Sequence, residues 1–299
     1  MSNDFERKLN KQKTLNDSTN GTAWIFGMNK FGKTINWFRT IHMELAETID
    51  SYPWKHWKNI SADPDYKNVK IELVDIEHFI LSQVIQTTML SKLALIEIDI
   101  KKAATEKVDC SDGESDKVLN MDKYLSAINA HEYSSLLRRL IEEREFNETK
   151  TQIDDEAYNK LFNSLLKEMN KILSAKNDEK IIDEITALEK IQFYAVQASV
   201  RGLSFDRDEI VYSRESLSQI IGRFNNFVSH LGFSLTPLYF GKNVLNDFRQ
   251  KNGYKENTYK KIWNGVEDND YMFNIVESLG ALADEETIYS ELDKVYKSL

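Results

Sequence analysis

Eleven glycines and three prolines among 299 residues leave this chain few places to turn tightly. Sandwiches and barrels need turn signals about every 8–12 residues, and Gly and Pro supply most of them. The scarcity therefore favours long helices and an all-α fold. Periodicity agrees. Over 35–50, apolar residues fall at 37, 38, 41, 45 and 49, close to the stripe of an amphipathic helix, and Pro53 stops it. The stretch from 68 to about 100 reads as one long, mostly buried helix or two stacked ones. Core-like helical patterns return at 181–202 and 214–231, and 242–252 forms a helix that Gly253 ends as its C′ residue. Residues 101–190 differ. They carry many charges, one Gly and no Pro, with helical patches at 124–145 and 157–175 and an exposed loop at 109–116. This stretch is expected to be a charged, solvated helical insertion on a core formed by 1–100 and 191–299.

Charge excludes some functions. Lys plus Arg number 39 against 48 Asp plus Glu, a formal −9. Long nucleic acid needs a basic face, so it is excluded as a partner, although a local basic cluster could hold a small anion. Cys110 is the only cysteine, which leaves no disulfide framework and no Cys-rich zinc site within one chain. No apolar run reaches the roughly 18 residues of a membrane span. The best candidate, 79–98, is broken by Ser82, Gln83, Gln86, Ser91, Lys92 and Glu97. Residues 1–8 are polar and of mixed charge, unlike a signal peptide. A soluble cytoplasmic protein is the expectation.

Two pairs of acids stand out. Glu44-x-x-Glu47 and Glu72-x-x-Asp75 each place two carboxylates on one helix face, because positions i and i+3 are neighbours. One such pair says little: acids at this density give about eight acid-x-x-acid pairs by chance, mostly on solvated faces. These two are embedded in apolar helices, where an unpaired acid is costly. If the helices pack antiparallel, four carboxylates converge and repel unless cations neutralise them. Hard oxygen donors at that density suit Mg²⁺ or Mn²⁺.

The C-terminal third carries the complement. Lys242, Asn246 and Arg249 share one side of the 242–252 helix, while Val244, Leu245 and Phe248 point elsewhere. Lys255, Lys260 and Lys261 follow, interleaved with Tyr254, Tyr259 and Trp263. A basic face is ordinarily just solvated; beside an acidic cluster it reads as a clamp for a polyphosphate bridged to the acids by metal. Phe79, one turn beyond Asp75, borders the acidic face, and Trp54 and Trp57 follow the first acidic helix. Such aromatics usually pack, but they could stack on a base.

These blocks resemble the dimeric-type all-α dUTPases of the all-α NTP pyrophosphohydrolase superfamily. The superfamily's E-x-x-E, spacer, E-x-x-D signature is met by Glu44 and Glu47, 24 intervening residues, then Glu72 and Asp75. The context is closer still. Asn36-Trp37 leads into the first motif, and Asp50-Ser51-Tyr52-Pro53-Trp54-Lys55-His56-Trp57-Lys58 follows it. The second motif runs on as Ile76-Glu77-His78-Phe79. The C-terminal block runs from Gly241 to Gln250, continues with Gly253, Tyr254, Lys255, Tyr259 and Trp263, and ends Glu267-Asp268-Asn269. The likeness covers about 10–100 and 190–280.

The resemblance implies an all-α bundle that hydrolyses dUTP to dUMP and pyrophosphate, with dUDP as a further candidate substrate. Glu44, Glu47, Glu72 and Asp75 would hold two or more Mg²⁺ ions, with Glu47 helping to orient or deprotonate the attacking water. Lys242, Asn246, Arg249, Lys255 and Lys260 would contact phosphates. Gln12, Asn16, Trp57, His78 and Phe79 would shape the uracil and deoxyribose pocket, Tyr254 would also bind substrate, and the chain would form a homodimer with its pocket between a rigid and a mobile part. Two departures stand out: Glu77 occupies a position where the family often has an aromatic, and 101–190 is longer and more charged than a minimal member needs. Rival readings are the same chemistry on dCTP or another nucleotide, a di-iron bundle, for which only Asp75-x-x-His78 is available, and a helical interaction protein whose partner binds 101–190.

Overall fold

The computed structural model describes residues 2–58, 61–108, 155–201, 207–280 and 283–299. Among them are nine α-helices and one two-stranded hairpin. The helices are α1 (Ser2–Asn20), α2 (Trp37–Asp50), α3 (Tyr66–Val108), α4 (Asp155–Leu173), α5 (Glu184–Arg201), α6 (Arg207–Leu231), α7 (Thr236–Lys251), α8 (Asp268–Leu279) and α9 (Glu285–Lys297). A 3₁₀ turn, Thr22–Phe26, follows α1, and β1 (Ile262–Trp263) pairs antiparallel with β2 (Val266–Glu267). The expected all-α class is observed. None of the described helices is long and apolar enough to cross a membrane.

Local chemistry sets the helix ends. Asn36 caps α2, its Oδ1 accepting from the Arg39 amide at 3.0 Å, while its Nδ2 donates to the Ser199 carbonyl on α5. Asp65 starts α3, its carboxylate accepting from the Asn68 amide at 3.1 Å. The C-terminus of α7 closes as the sequence indicates. Gly253 takes φ +89°, and the Tyr254 amide reaches back to the Arg249 carbonyl at 3.0 Å, the Schellman arrangement.

Helices α2, α3, α5 and α6 form a four-membered bundle in which α2 packs on α3 and α5, and α6 closes the ring against α5 and α3. The expected α2 stripe is its core face: Trp37, Phe38, Ile41 and Leu45 are buried. The 68–100 stretch is one helix, not two stacked ones. It runs through the centre and is buried on all sides over 80–91, where three hydroxyls bond to their own backbone: Ser82 Oγ to the His78 carbonyl, Thr88 Oγ1 to Val84, Ser91 Oγ to Thr87. On the other side of α3, α1 and α7 pack together, with α8 and α9 against α7.

Residues 101–190 depart from a wholly solvated insertion. Helix α4 lies against α3, α6 and α1 and buries Tyr158, Leu161, Phe162, Leu165, Met169 and Leu173 in the common core. Asp17 ties it down, accepting from Tyr158 Oη and Trp24 Nε1, each at 2.8 Å. Lys160, Lys167 and Lys171 lie exposed on its outer face. The loop expected at 109–116, the helical patch at 124–145 and Cys110 lie outside the described residues.

Candidate active site

Helices α2 and α3 bring Glu44, Glu72 and Asp75 together. One carboxylate oxygen from each lies within 4.8 Å of the other two. All three are half-buried, so the usual aqueous screening is reduced. Burial, then the charges of Asp75, Glu47 and Glu72, push the Glu44 carboxyl up to about 8, against the pull of Lys242. Burial and Asp75 likewise push Glu72 up to about 7, opposed by Lys242 and by a hydrogen bond from Glu44. Glu47 stands outside this trio. It lies on the solvent side of α2, exposed, yet close enough for its charge to raise both neighbours.

The basic face of α7 is the other half. Lys242 and Arg249 are buried, not solvated. Lys242 Nζ donates to Asp75 Oδ2 at 2.6 Å and to Asn269 Oδ1 at 3.0 Å. Arg249 forks onto fully buried Asp268 through Nε at 2.8 Å and Nη2 at 2.7 Å, and Nη1 reaches Asn246 Oδ1 at 3.3 Å. Burial alone would lower the Arg249 guanidinium, but the hydrogen bonds and charge of Asp268 reverse this and raise it.

A third group adjoins His78. Gln12 Nε2 donates to Ser82 Oγ at 2.9 Å and Asn16 Nδ2 donates to the same oxygen at 2.9 Å. His78 Nδ1 lies 2.9 Å from Gln12 Oε1; that oxygen only accepts, so the proton sits on Nδ1 and Nε2 keeps its lone pair. Nε2 has no hydrogen-bond partner among the described residues. Burial is the main reason that the ring is pushed down to about 4, with Asp75 opposing and Lys242 and Lys8 adding to the fall, so His78 is neutral at physiological pH. Tyr239 packs on the imidazole at 4.2 Å, and Phe79 stacks on Trp37 at 5.9 Å.

The remaining expected residues lie apart from these groups. Trp57 is 62% exposed in the loop after α2, with Trp54 and His56 as ring neighbours. Tyr254 is 45% exposed against Tyr259. Lys255 donates to the Ser18 carbonyl at the end of α1, and Lys260 is exposed with its backbone amide on Tyr296 Oη. Glu77, the unusual acid beside the metal motif, accepts from the buried Lys8 ammonium at 2.7 Å, an ion pair across α1 and α3 in place of aromatic packing.

Sequence reasoning missed the supporting residues. Ser82 sits one turn beyond His78 and Tyr239 three residues before Lys242, so helical spacing could have flagged both. Nothing local marks Asp268 as the counter-ion of Arg249, because the pair meets only in the folded chain.

Acids from α2 and α3 facing buried cations from α7 define an all-α bundle in which a carboxylate cluster meets a buried basic pair. The family model described as dUTPase matches residues 4–254. The chain therefore belongs to the dUTPase family and is a hydrolase acting on a nucleoside triphosphate. No curated protein matches the chain.

Proposed function

We propose that the protein is a Mg²⁺-dependent dUTP diphosphatase that releases dUMP and pyrophosphate, and that dUDP is also a substrate. The supporting observation is the meeting of Glu44, Glu72 and Asp75 with buried Lys242 and Arg249 in a member of the dUTPase family. The oxygen-only donor set fits a hard cation. So does the state of the acids: carboxyls held up to about 8 and about 7 are ones whose negative charges lack a sufficient counter-charge. Glu44, Glu72 and Asp75, with Glu47 beside them, would hold Mg²⁺, with Mn²⁺ as a substitute. When bound, the ion supplies charge neutralisation at phosphate oxygens and acidifies water.

The chain's own residues do the rest. Glu47, the exposed member, orients the attacking water and accepts its proton. Lys242 turns from Asp75 toward a phosphate oxygen, and Arg249, with Asn246 on its outer edge, stabilises charge on the departing pyrophosphate. Lys255 and Lys260 extend the same positive field. Gln12, Asn16, His78 and Phe79 shape the pocket for uracil and deoxyribose, and Trp57 and Tyr254 complete it. The protein acts as a cytoplasmic homodimer, and residues 101–190 add a surface for a protein partner.

Steady-state hydrolysis of the dNTPs, dUTP and dUDP, with and without Mg²⁺, tests this reading. Pyrophosphate release from dUTP, dependent on Mg²⁺, is the expected result. Preference for dCTP, or turnover unchanged in chelator, would overturn it. Near wild-type turnover in both Glu47→Gln and Asp75→Asn would remove the carboxylate assignment.

A further inference from the structure

We propose that Asp268 and Asn269 are positioning residues that aim Arg249 and Lys242 at the phosphates leaving as pyrophosphate. The proposal rests on the site being one for dUTP.

The segment before them is built to be rigid. Asn264 and Gly265 both take positive φ, +48° and +84°, as a two-residue hairpin turn requires. The turn fixes the register of β1 on β2, with Trp263 opposite Val266. Trp263 is fully buried among Phe248, Tyr259, Tyr271 and Tyr296. Phe248 is on the apolar side of α7, so the hairpin is locked to the helix that carries the cations. The chain emerging from β2 is thereby delivered beside Arg249.

What it delivers is matched to the two cations. Asp268 Oδ2 accepts from Arg249 Nε and from Tyr259 Oη, both at 2.8 Å, and Oδ1 accepts from Nη2 at 2.7 Å. A two-point fork fixes the plane of a guanidinium as well as its place. Asn269 Oδ1 accepts from Lys242 Nζ and Arg249 Nη2, each at 3.0 Å. One neutral carbonyl oxygen thus holds two like charges side by side. The connection continues through Lys242 to Asp75, so a single chain of polar contacts runs from the aromatic core to the carboxylate trio. If Asp268 only fastened α8 to α7, its bond to Arg249 would suffice, and Asn269 would have no reason to share its oxygen with Lys242.

Calorimetric titration with pyrophosphate and, separately, with deoxyuridine distinguishes positioning from fastening. Both titrations are made on the full chain in Mg²⁺, with a thermal melt of each variant. Asn269→Ala is the principal variant, because the residue is only half-buried; Asp268→Asn, Arg249→Ala and their double mutant complete a cycle. Positioning requires Asn269→Ala to weaken pyrophosphate by about tenfold while deoxyuridine stays within about twofold. It also requires Asp268→Asn to add nothing once Arg249 is gone. Unchanged pyrophosphate binding in Asn269→Ala, or equal weakening of both ligands, would overturn the proposal. Absence of dUTP turnover in the wild type would overturn the substrate reading instead, and the ratio of the two affinities would still decide the roles of Asp268 and Asn269.

Discussion

Glu44→Gln should make the metal-free protein more stable while disabling the enzyme. The folded environment raises the Glu44 carboxyl from an ordinary 4.5 to about 8. Between those two values the folded protein keeps a proton that the unfolded chain has already lost. Stability of the metal-free protein therefore falls as pH rises through that window and is lowest above it. Glu72 adds the same sign over 4.5 to about 7. A displacement of this size corresponds to about 5 kcal/mol of disfavoured ionisation once both states are charged. Because Glu44 shares its repulsion with Glu72 and Asp75 and keeps partial contact with water, about 2 kcal/mol is its own share. Glutamine removes the charge and can still donate to Glu72 as the protonated acid does. Urea denaturation in EDTA should give the variant about 2 kcal/mol more stability than wild type at pH 8, with the gap closing toward pH 5; by melting this is about 3 °C. Adding Mg²⁺ should reverse the order, since only the wild type would gain from binding. A variant less stable than wild type at pH 8 in EDTA would refute the reasoning, as would a wild type whose metal-free stability is flat between pH 5 and 8.

Three further outcomes follow from the packing and the charges. Lys242→Met strips Asp75 of its ammonium partner, so metal-free stability should fall by about 3 kcal/mol in urea and turnover by about a hundredfold or more in a pyrophosphate-release assay. Phe162→Ala should cost about 3–5 kcal/mol by urea denaturation, because the ring is fully buried where α4 meets the core; a near-zero cost would return α4 to the surface. Gly241→Ala would place a methyl 2.6 Å from Val276 Cγ2 and 2.9 Å from Met272 Sδ, so prising α8 from α7 should cost about 1–3 kcal/mol in a thermal melt.

Much of the fold was legible because helices write a period into the chain. The α2 stripe, the α7 stop at Gly253 and the two carboxylate pairs all rest on that period. Charge density is a weaker guide than the period: it points 101–190 to solvent, although Tyr158, Leu161, Phe162, Leu165 and Met169 trace an unbroken helical stripe that the structure buries. The i, i+3 period pairs Glu47 with Glu44. On the wheel, however, it lies farther from the buried Ile41–Leu45–Thr48 edge, which is why it is exposed and outside the trio. Lys255 and Lys260 follow Lys242 closely in the chain, and the reversal at Gly253 brings Lys255 to the Ser18 carbonyl. Ser82, Tyr239 and Asp268 act through partners on other elements, and no local pattern announces such a meeting.

The placement of the cations also explains how a chain of net charge −9 can hold a polyphosphate. Helix α7 is anchored by its apolar side, where Phe248 meets Tyr259, Trp263, Tyr289 and Tyr296. That anchor fixes the opposite side, so Lys242 and Arg249 stay buried, Lys242 paired with Asp75 and Arg249 with Asp268. A buried cation is weakly screened and keeps its direction, whereas the surface acids that make up the negative excess are dispersed in water and screened by salt within about 8–10 Å. Net charge therefore decides which extended polyanions the surface repels. The local field at α7, set by two cations and the four acids that face them, decides what the site can accept.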